Sequence, residues 1–204
     1  MVPRSVALCV AAGGAIETAL LPYYFVQLLA AHPHLRVRAA LSPSAEQFVS
    51  PFALDGLLDD FVYTTSRPYR PQTTIPFHLD FTTTDLLVVF PATARILAEC
   101  ALGIVTCPVT RLFAFANKEH TVVVPYLHPA MDVTLYVDHI DKIERIGATV
   151  VRPRKGLIWR DEGAWDRALA VIRERLRLDP EARSPRSYEI AFRNQGRRRL
   201  TDAT

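Results

Sequence analysis

The feature that most constrains this chain is a rhythm of five short apolar runs, each followed by a stretch with helical patterning. Residues 5–11 (SVALCVA), 35–41, 85–90 (DLLVVF), 121–124 (TVVV) and 148–151 read as strands, apolar on both faces. Residues 15–31, 92–102 and 131–146 read as helices, and a further helix begins at 45–49. Residues 163–178 close the series as an amphipathic helix. Its Trp165, Ala168, Leu169, Ile172 and Leu176 form one apolar stripe. A strand apolar on both faces has to be covered on both, and strand–helix alternation supplies helices for each side. The expected fold class is therefore α/β: a three-layer α/β/α sandwich of Rossmann type around a parallel sheet.

The punctuation agrees with that reading. Gly13-Gly14 closes the first strand, and Pro22 kinks the following helix or marks a late first turn. Ser42-Pro43-Ser44 offers an N-cap, Pro91 stops the third strand and Pro125 ends the fourth. Residues 52–76 are rich in Thr, Pro, Tyr and Arg, with one short strand candidate at 61–63.

Composition narrows the function classes. At 204 residues the chain suits one domain, residues 1–178, followed by a basic, flexible tail, residues 179–204. Half of the residues are apolar and 22% charged, which excludes a disordered chain. The net charge of +3 is too small to argue for nucleic acid, and the tail, with six Arg against four Asp and Glu, carries most of it. Cys9, Cys100 and Cys107 are an odd set without a CxxC pair, which suits a reducing compartment and implies neither a disulfide framework nor a metal site. The longest apolar stretch carries Glu17 and Gln27 and is broken by Pro22, so no membrane span or signal peptide is expected and the location is read as cytoplasmic.

In a sheet of this kind ligands bind beyond the carboxyl ends of the strands. There Gly13, Gly14 and Ala15 allow a phosphate to approach a helix N-terminus, and Ser42 and Ser44 can hydrogen-bond the same group. The first turn does not match GxGxxG, and two such turns side by side suit a mononucleotide. His78 is the side chain near this region best suited to moving a proton at neutral pH; an ordinary surface or core histidine reads the same way locally.

These segments together resemble a family. His78, then the run from Asp85 through Phe90-Pro91-Ala92-Thr93-Ala94 to Gly103, then Pro125-Tyr126-Leu127-His128-Pro129-Ala130-Met131, are similar to the flavin-containing cysteine decarboxylases. That family shows a His, a strand ending in a PASANT-like motif, and a PxMNxxMW-like motif. It includes the lanthipeptide peptidyl-cysteine decarboxylases and the phosphopantothenoylcysteine decarboxylases. The turn from Ser42 to Val49 and the first turn, Gly13 to Ile16, resemble the family's as well, so the resemblance runs over residues 5–178.

The resemblance implies a flavodoxin-like fold that binds FMN, with FAD as the alternative, in trimers often packed into dodecamers, with the flavin near a subunit interface. Gly13, Gly14, Ala15, Ser42, Ser44 and Phe48 would hold the phosphate side, and Pro91, Ala92, Thr93 and Ala94 would line the ring. His78 would be the base or proton shuttle, with His128 and Met131 near the substrate. A clamping loop after the fifth strand would correspond to residues 150–162, where Arg152, Arg154, Lys155 and Arg160 could meet a peptide carboxylate. The implied reaction is oxidative decarboxylation of the C-terminal cysteine of a precursor peptide to an aminoenethiol.

The chain departs from the pattern at three places: Arg95 and His128 stand where the motifs have Asn, and Met131-Asp132 replaces Met-Trp. A non-catalytic flavin-binding or regulatory homologue therefore stays open as an alternative, as does a phosphopantothenoylcysteine decarboxylase-like enzyme. The latter branch uses a Cys after the fifth strand, and no Cys follows Cys107 here.

Overall fold

In a computed structural model, which describes residues 6–58, 60–71, 73–81, 84–152 and 163–182, the period-2 alternation of the strands is realised on two faces. Leu8, Val10 and Ala12 of β1 (Val6–Ala12) enter one core, and Cys9 and Ala11 enter the other. The same split divides Leu35, Val37, Ala39 and Leu41 from Ala40 in β2 (Leu35–Leu41). It also divides Leu86, Val88 and Phe90 from Leu87 and Val89 in β3 (Leu86–Ala92). With β4 (Thr121–Pro125) and β5 (Thr149–Val150) these strands form one parallel sheet in the order β2-β1-β3-β4-β5. This is the expected flavodoxin-like α/β arrangement.

Helices α1 (Leu21–Ala31), α2 (Pro51–Leu58) and α7 (Ala164–Leu176) cover the first face, through Phe25, Leu54 and Trp165 among others. The short α3 (Phe77–Asp80), α4 (Ala94–Leu102), α5 (Pro108–Phe115) and α6 (Thr134–Arg145) cover the second, through Phe77, Ile96, Leu112 and Ile140. The stripe read on the last helix is the one α7 buries.

Several boundaries differ from the expectation. Residues 16–20 form a 3₁₀ turn, and α1 starts only at Leu21, with Pro22 in its first turn, where the missing N–H costs nothing. Residues 45–47 are likewise 3₁₀, and α2, at Pro51–Leu58, runs into the Thr-, Pro-, Tyr- and Arg-rich stretch from 52, where no helix is expected. Residues 61–63 contribute one bridge, Ala40 to Tyr63, instead of a strand. Pro91 does not stop β3: the Phe90–Pro91 peptide is cis, the register shifts between Val89 and Ala92, and the strand ends one residue later. Helix α6 begins at Thr134, three residues after the expected start. Among the described residues no helix is long and apolar enough to cross a membrane, and the three cysteines are free and buried. The expected tail lies outside the described residues from 183 onward.

Candidate functional site

All five strands point their carboxyl ends the same way, and the turns leaving the inner ones are joined by backbone hydrogen bonds. Gly13 N–H donates to the Pro91 carbonyl at 3.0 Å, Ser42 N–H to Ala12 at 3.0 Å, and Tyr126 N–H to Ala92 at 2.9 Å. The first turn fits only because it lacks side chains. A Cβ on Gly13 would lie 2.7 Å from the Pro91 oxygen, and one on Gly14 would lie 2.6 Å from the Ser44 carbonyl carbon.

Above these turns lies a cavity of about 560 Å³, a size that suits a small-molecule ligand. Gly14, Ala15, Ser42, Ser44 and Phe48 line one part, Thr93 and Ala94 the floor, and His128 and Met131 the β4 side. Nine of the residues named from sequence thus converge on one concavity. Gly13, Pro91 and Ala92 do not line it; they form the wall behind it through the bonds above.

Sequence reasoning did not name Ile16, Pro43, Ile96, Thr106, Cys107 and Tyr126 as site residues, although they also line the cavity. Tyr126 was legible in principle, because it follows directly the Pro that ends β4. Cys107 and Thr106 were not, because they reach the cavity through α5, a helix the sequence reading missed.

Several polar groups of the cavity are tied down. The Ser42 hydroxyl accepts from Ala45 N–H at 3.2 Å, while Ser44, the N-cap of the 3₁₀ turn at 45–47, makes no side-chain cap bond. The Tyr126 hydroxyl lies 3.3 Å from Glu17, whose other carboxylate oxygen accepts from Tyr24 at 2.5 Å. Ala130 N–H donates to His128 Nδ1 at 3.1 Å, so a neutral His128 carries its proton on Nε2 and offers a donor. Arg95 Nε donates to Glu99 at 2.6 Å and Nη2 to the Thr106 hydroxyl at 3.2 Å, while Thr106 donates to the second Glu99 oxygen at 2.6 Å.

His78 is placed elsewhere. It sits on α3 with its ring 4.8 Å from that of Phe115, and it does not line the cavity of its own chain. Its Nδ1 is buried without a hydrogen-bond partner, and burial, reinforced by the Arg111 charge, lowers its pKa, so the imidazole is neutral near pH 7. Arg152 is also away from the cavity, paired with Asp141 at 2.6 Å and Glu144 at 2.8 Å on α6. Arg154, Lys155 and Arg160 lie outside the described residues. No group of three or more His, Cys, Asp or Glu among the described residues could hold a metal ion.

A five-stranded parallel sheet with a mononucleotide-sized cavity where β1 and β3 diverge defines a doubly wound α/β ligand-binding protein. Residues 3–176 match the Flavoprotein family, and the chain belongs to it. The fold is shared with the FMN-dependent cysteine decarboxylase TvaF from thioviridamide biosynthesis (TM-score 0.70, 24% identity, 84% of this chain and 98% of that one). It is shared too with MrsD from Bacillus sp. HIL-Y85/54728 (TM-score 0.68, 19% identity, 84% and 96%) and with a mutant of PPC decarboxylase (TM-score 0.67, 17% identity, 83% and 98%). In sequence the chain is 31% identical over 164 residues to the coenzyme A biosynthesis bifunctional protein CoaBC of Bacillus subtilis, covering 76% of this chain and 37% of that protein. Against its counterpart in Thermococcus kodakarensis it is 28% identical over 121 residues, 58% and 30% of the two lengths. The chain spans about a third of the length of these curated relatives.

Proposed function

We propose that the protein is an FMN-dependent decarboxylase that oxidises the C-terminal cysteine of a peptide and releases its carboxylate, leaving an aminoenethiol. The observation that carries this reading is the cavity at the β1/β3 divergence, walled by the turns of Gly13-Gly14, Ser42–Ser44 and Thr93-Ala94. The residues present fit a flavin mononucleotide. Gly14 lets the first turn sit directly against the Ser42–Ser44 turn at the cavity edge, and the first N–H groups of α4 have no acceptor within their helix. Phe48, Ile96 and Met131 supply apolar wall for a ring. FAD is the less favoured form.

When bound, the flavin supplies a two-electron acceptor that makes loss of CO2 from the oxidised cysteine easy. The chain positions and handles protons. His128 presents Nε2–H to the substrate end, where it can orient a carboxylate or carbonyl. His78, neutral and with a bare Nδ1, is suited to accept a proton but not at the cavity of its own chain. The reading therefore includes a homo-oligomer, a trimer or trimers packed into dodecamers, in which a second copy brings its His78 to the cavity. Exposed apolar side chains border both places: Ile16, Leu20, Tyr23 and Phe52 in the elements around the cavity, and Ile75, Leu79 and Phe115 around His78.

The CoaBC relatives favour a second reading, decarboxylation of phosphopantothenoylcysteine. One experiment separates the two. The purified protein is inspected for a flavin absorbance spectrum and then incubated with Cys-terminated peptides and, separately, with phosphopantothenoylcysteine. The proposal expects a yellow protein and a peptide lighter by one CO2 and two hydrogens. A colourless protein, or peptides unchanged in mass, would sink it, and loss of CO2 from the pantothenoyl substrate, with or without two hydrogens, while peptides stay unchanged would establish the second reading.

A further inference from the structure

Among the described residues that line the cavity, Arg95 is the only Lys or Arg. It stands in the first turn of α4, two residues after Thr93, whose methyl group is within 3.2 Å of where a Gly13 Cβ would be. Arg95 therefore springs from beside the glycine turn, and its head is held next to Thr106, which lines the same cavity. Its guanidinium is not a loose surface group. Glu99, 7% exposed, is anchored by Thr106 and holds Arg95 Nε, while Thr106 also takes one hydrogen of Nη2. The anchor is buried and the head is open, the Arg95 side chain being 70% exposed. Among the described residues Nη1 has no protein partner, so a fixed edge of the fork is left for a ligand.

We infer that Arg95 is an oxyanion-binding residue whose ligand is the phosphate of the bound mononucleotide; the inference rests on the flavin reading above. A planar fork with one edge pinned matches two oxygens of a phosphate, and the pinning removes the side-chain entropy that binding would otherwise cost. The other anion available to such a site is the peptide carboxylate. Chemistry argues against it: that group must leave as neutral CO2, and an arginine holding it as an anion would stabilise the ground state over the transition state. A phosphate keeps its charge throughout turnover.

The test is a double comparison of FMN with riboflavin, which lacks the phosphate, titrated by fluorescence into the full chain. The variants are Arg95→Gln and, so that Glu99 is not left buried without its partner, Arg95→Gln with Glu99→Gln. The inference expects both variants to lose roughly 10–100-fold in FMN affinity, the value of charge-assisted hydrogen bonds, while riboflavin binds as before. Equal loss for both flavins, or no loss for either, overturns it. So does intact FMN binding with lost discrimination between a peptide acid and its C-terminal amide, which would assign Arg95 to the carboxylate. A wild-type chain that binds neither flavin overturns the flavin reading itself and this inference with it.

Discussion

Gly14 and Gly56 are the same residue under opposite constraints. A Cβ on Gly14 would meet the Ser44 backbone at 2.6 and 2.8 Å, and backbone cannot rotate away as a side chain tip can. Gly14→Ala must push the β1 and β2 turns apart, so a loss of about 1–3 kcal/mol in stability is expected, together with weaker flavin binding. Gly56 lies exposed within α2 with nothing within 4 Å of its Cβ position. Gly56→Ala should stabilise by about 0.5–1 kcal/mol, because glycine loses more backbone entropy in a helix. Denaturant titration of the two variants checks both signs, and a stabilising Gly14→Ala would contradict the close turn. At this scale much of the site was legible: Gly14, Ser42 and Ser44 are turn residues at strand ends, and that position alone brings them together. Pro91 and Ala92 do not line the cavity, because a residue at a strand end can face the cavity or the wall behind it. The register shift at Val89 to Ala92, which decides this, leaves no periodic mark in the sequence.

At the scale of elements, α3 is held by charge more than by its own four residues. Arg38, 1% exposed in the middle of β2, pairs with Asp80 of α3, lies 3.5 Å from Asp60 and stacks 4.9 Å from the Phe77 ring. Arg70 bridges the same two carboxylates at 2.9 and 3.2 Å. Removing one member of such a buried set leaves charges without compensation, so Arg38→Ala should cost about 3–5 kcal/mol. Amide hydrogen exchange should then rise at Phe77–Asp80 before it rises in α1, which lies on the other face. Unchanged protection of α3 would refute the idea that this network fixes the helix of His78. Elements whose information is local were read correctly: the strands, because both faces are apolar, and α7, because its stripe has helical period. Helix α3 and helix α5 were not. The first depends on an ion network assembled from β2, α3 and the segment around Asp60 and Arg70, and the second opens on Cys107-Pro108, with its cap supplied by the Thr110 hydroxyl inside the helix and not by a polar N-cap residue.

Two properties belong to the whole molecule. Burial lowers the pKa of His32 at the end of α1, where Nε2 has no partner and Arg173 of α7 reinforces the shift against Asp179. His78 is lowered in the same sense. Below their ordinary pKa, near 6.5, the unfolded chain binds protons that the folded chain refuses. Stability contributed by the two neutral imidazoles is thus complete above that pH and falls as the pH drops through it. Denaturation midpoints should decline from about pH 7 to about 5.5, and His32→Gln should flatten the decline; a level profile would contradict it. The second property is the separation of His78 from the cavity. If the proposed oligomer completes each site with a neighbour's histidine, defects in the two parts are complementary. His78→Ala keeps an intact cavity, and Ser44→Trp, at an exposed residue lining the cavity, fills it but keeps its histidine. Each is expected to be inactive alone on a Cys-terminated peptide, with His78→Ala still binding flavin. Co-expressed, they should form mixed assemblies in which a fraction of interfaces joins a good cavity to a good histidine, and activity should return to that fraction of wild type. A site contained in one chain allows no recovery, because every subunit then carries its own defect whatever surrounds it.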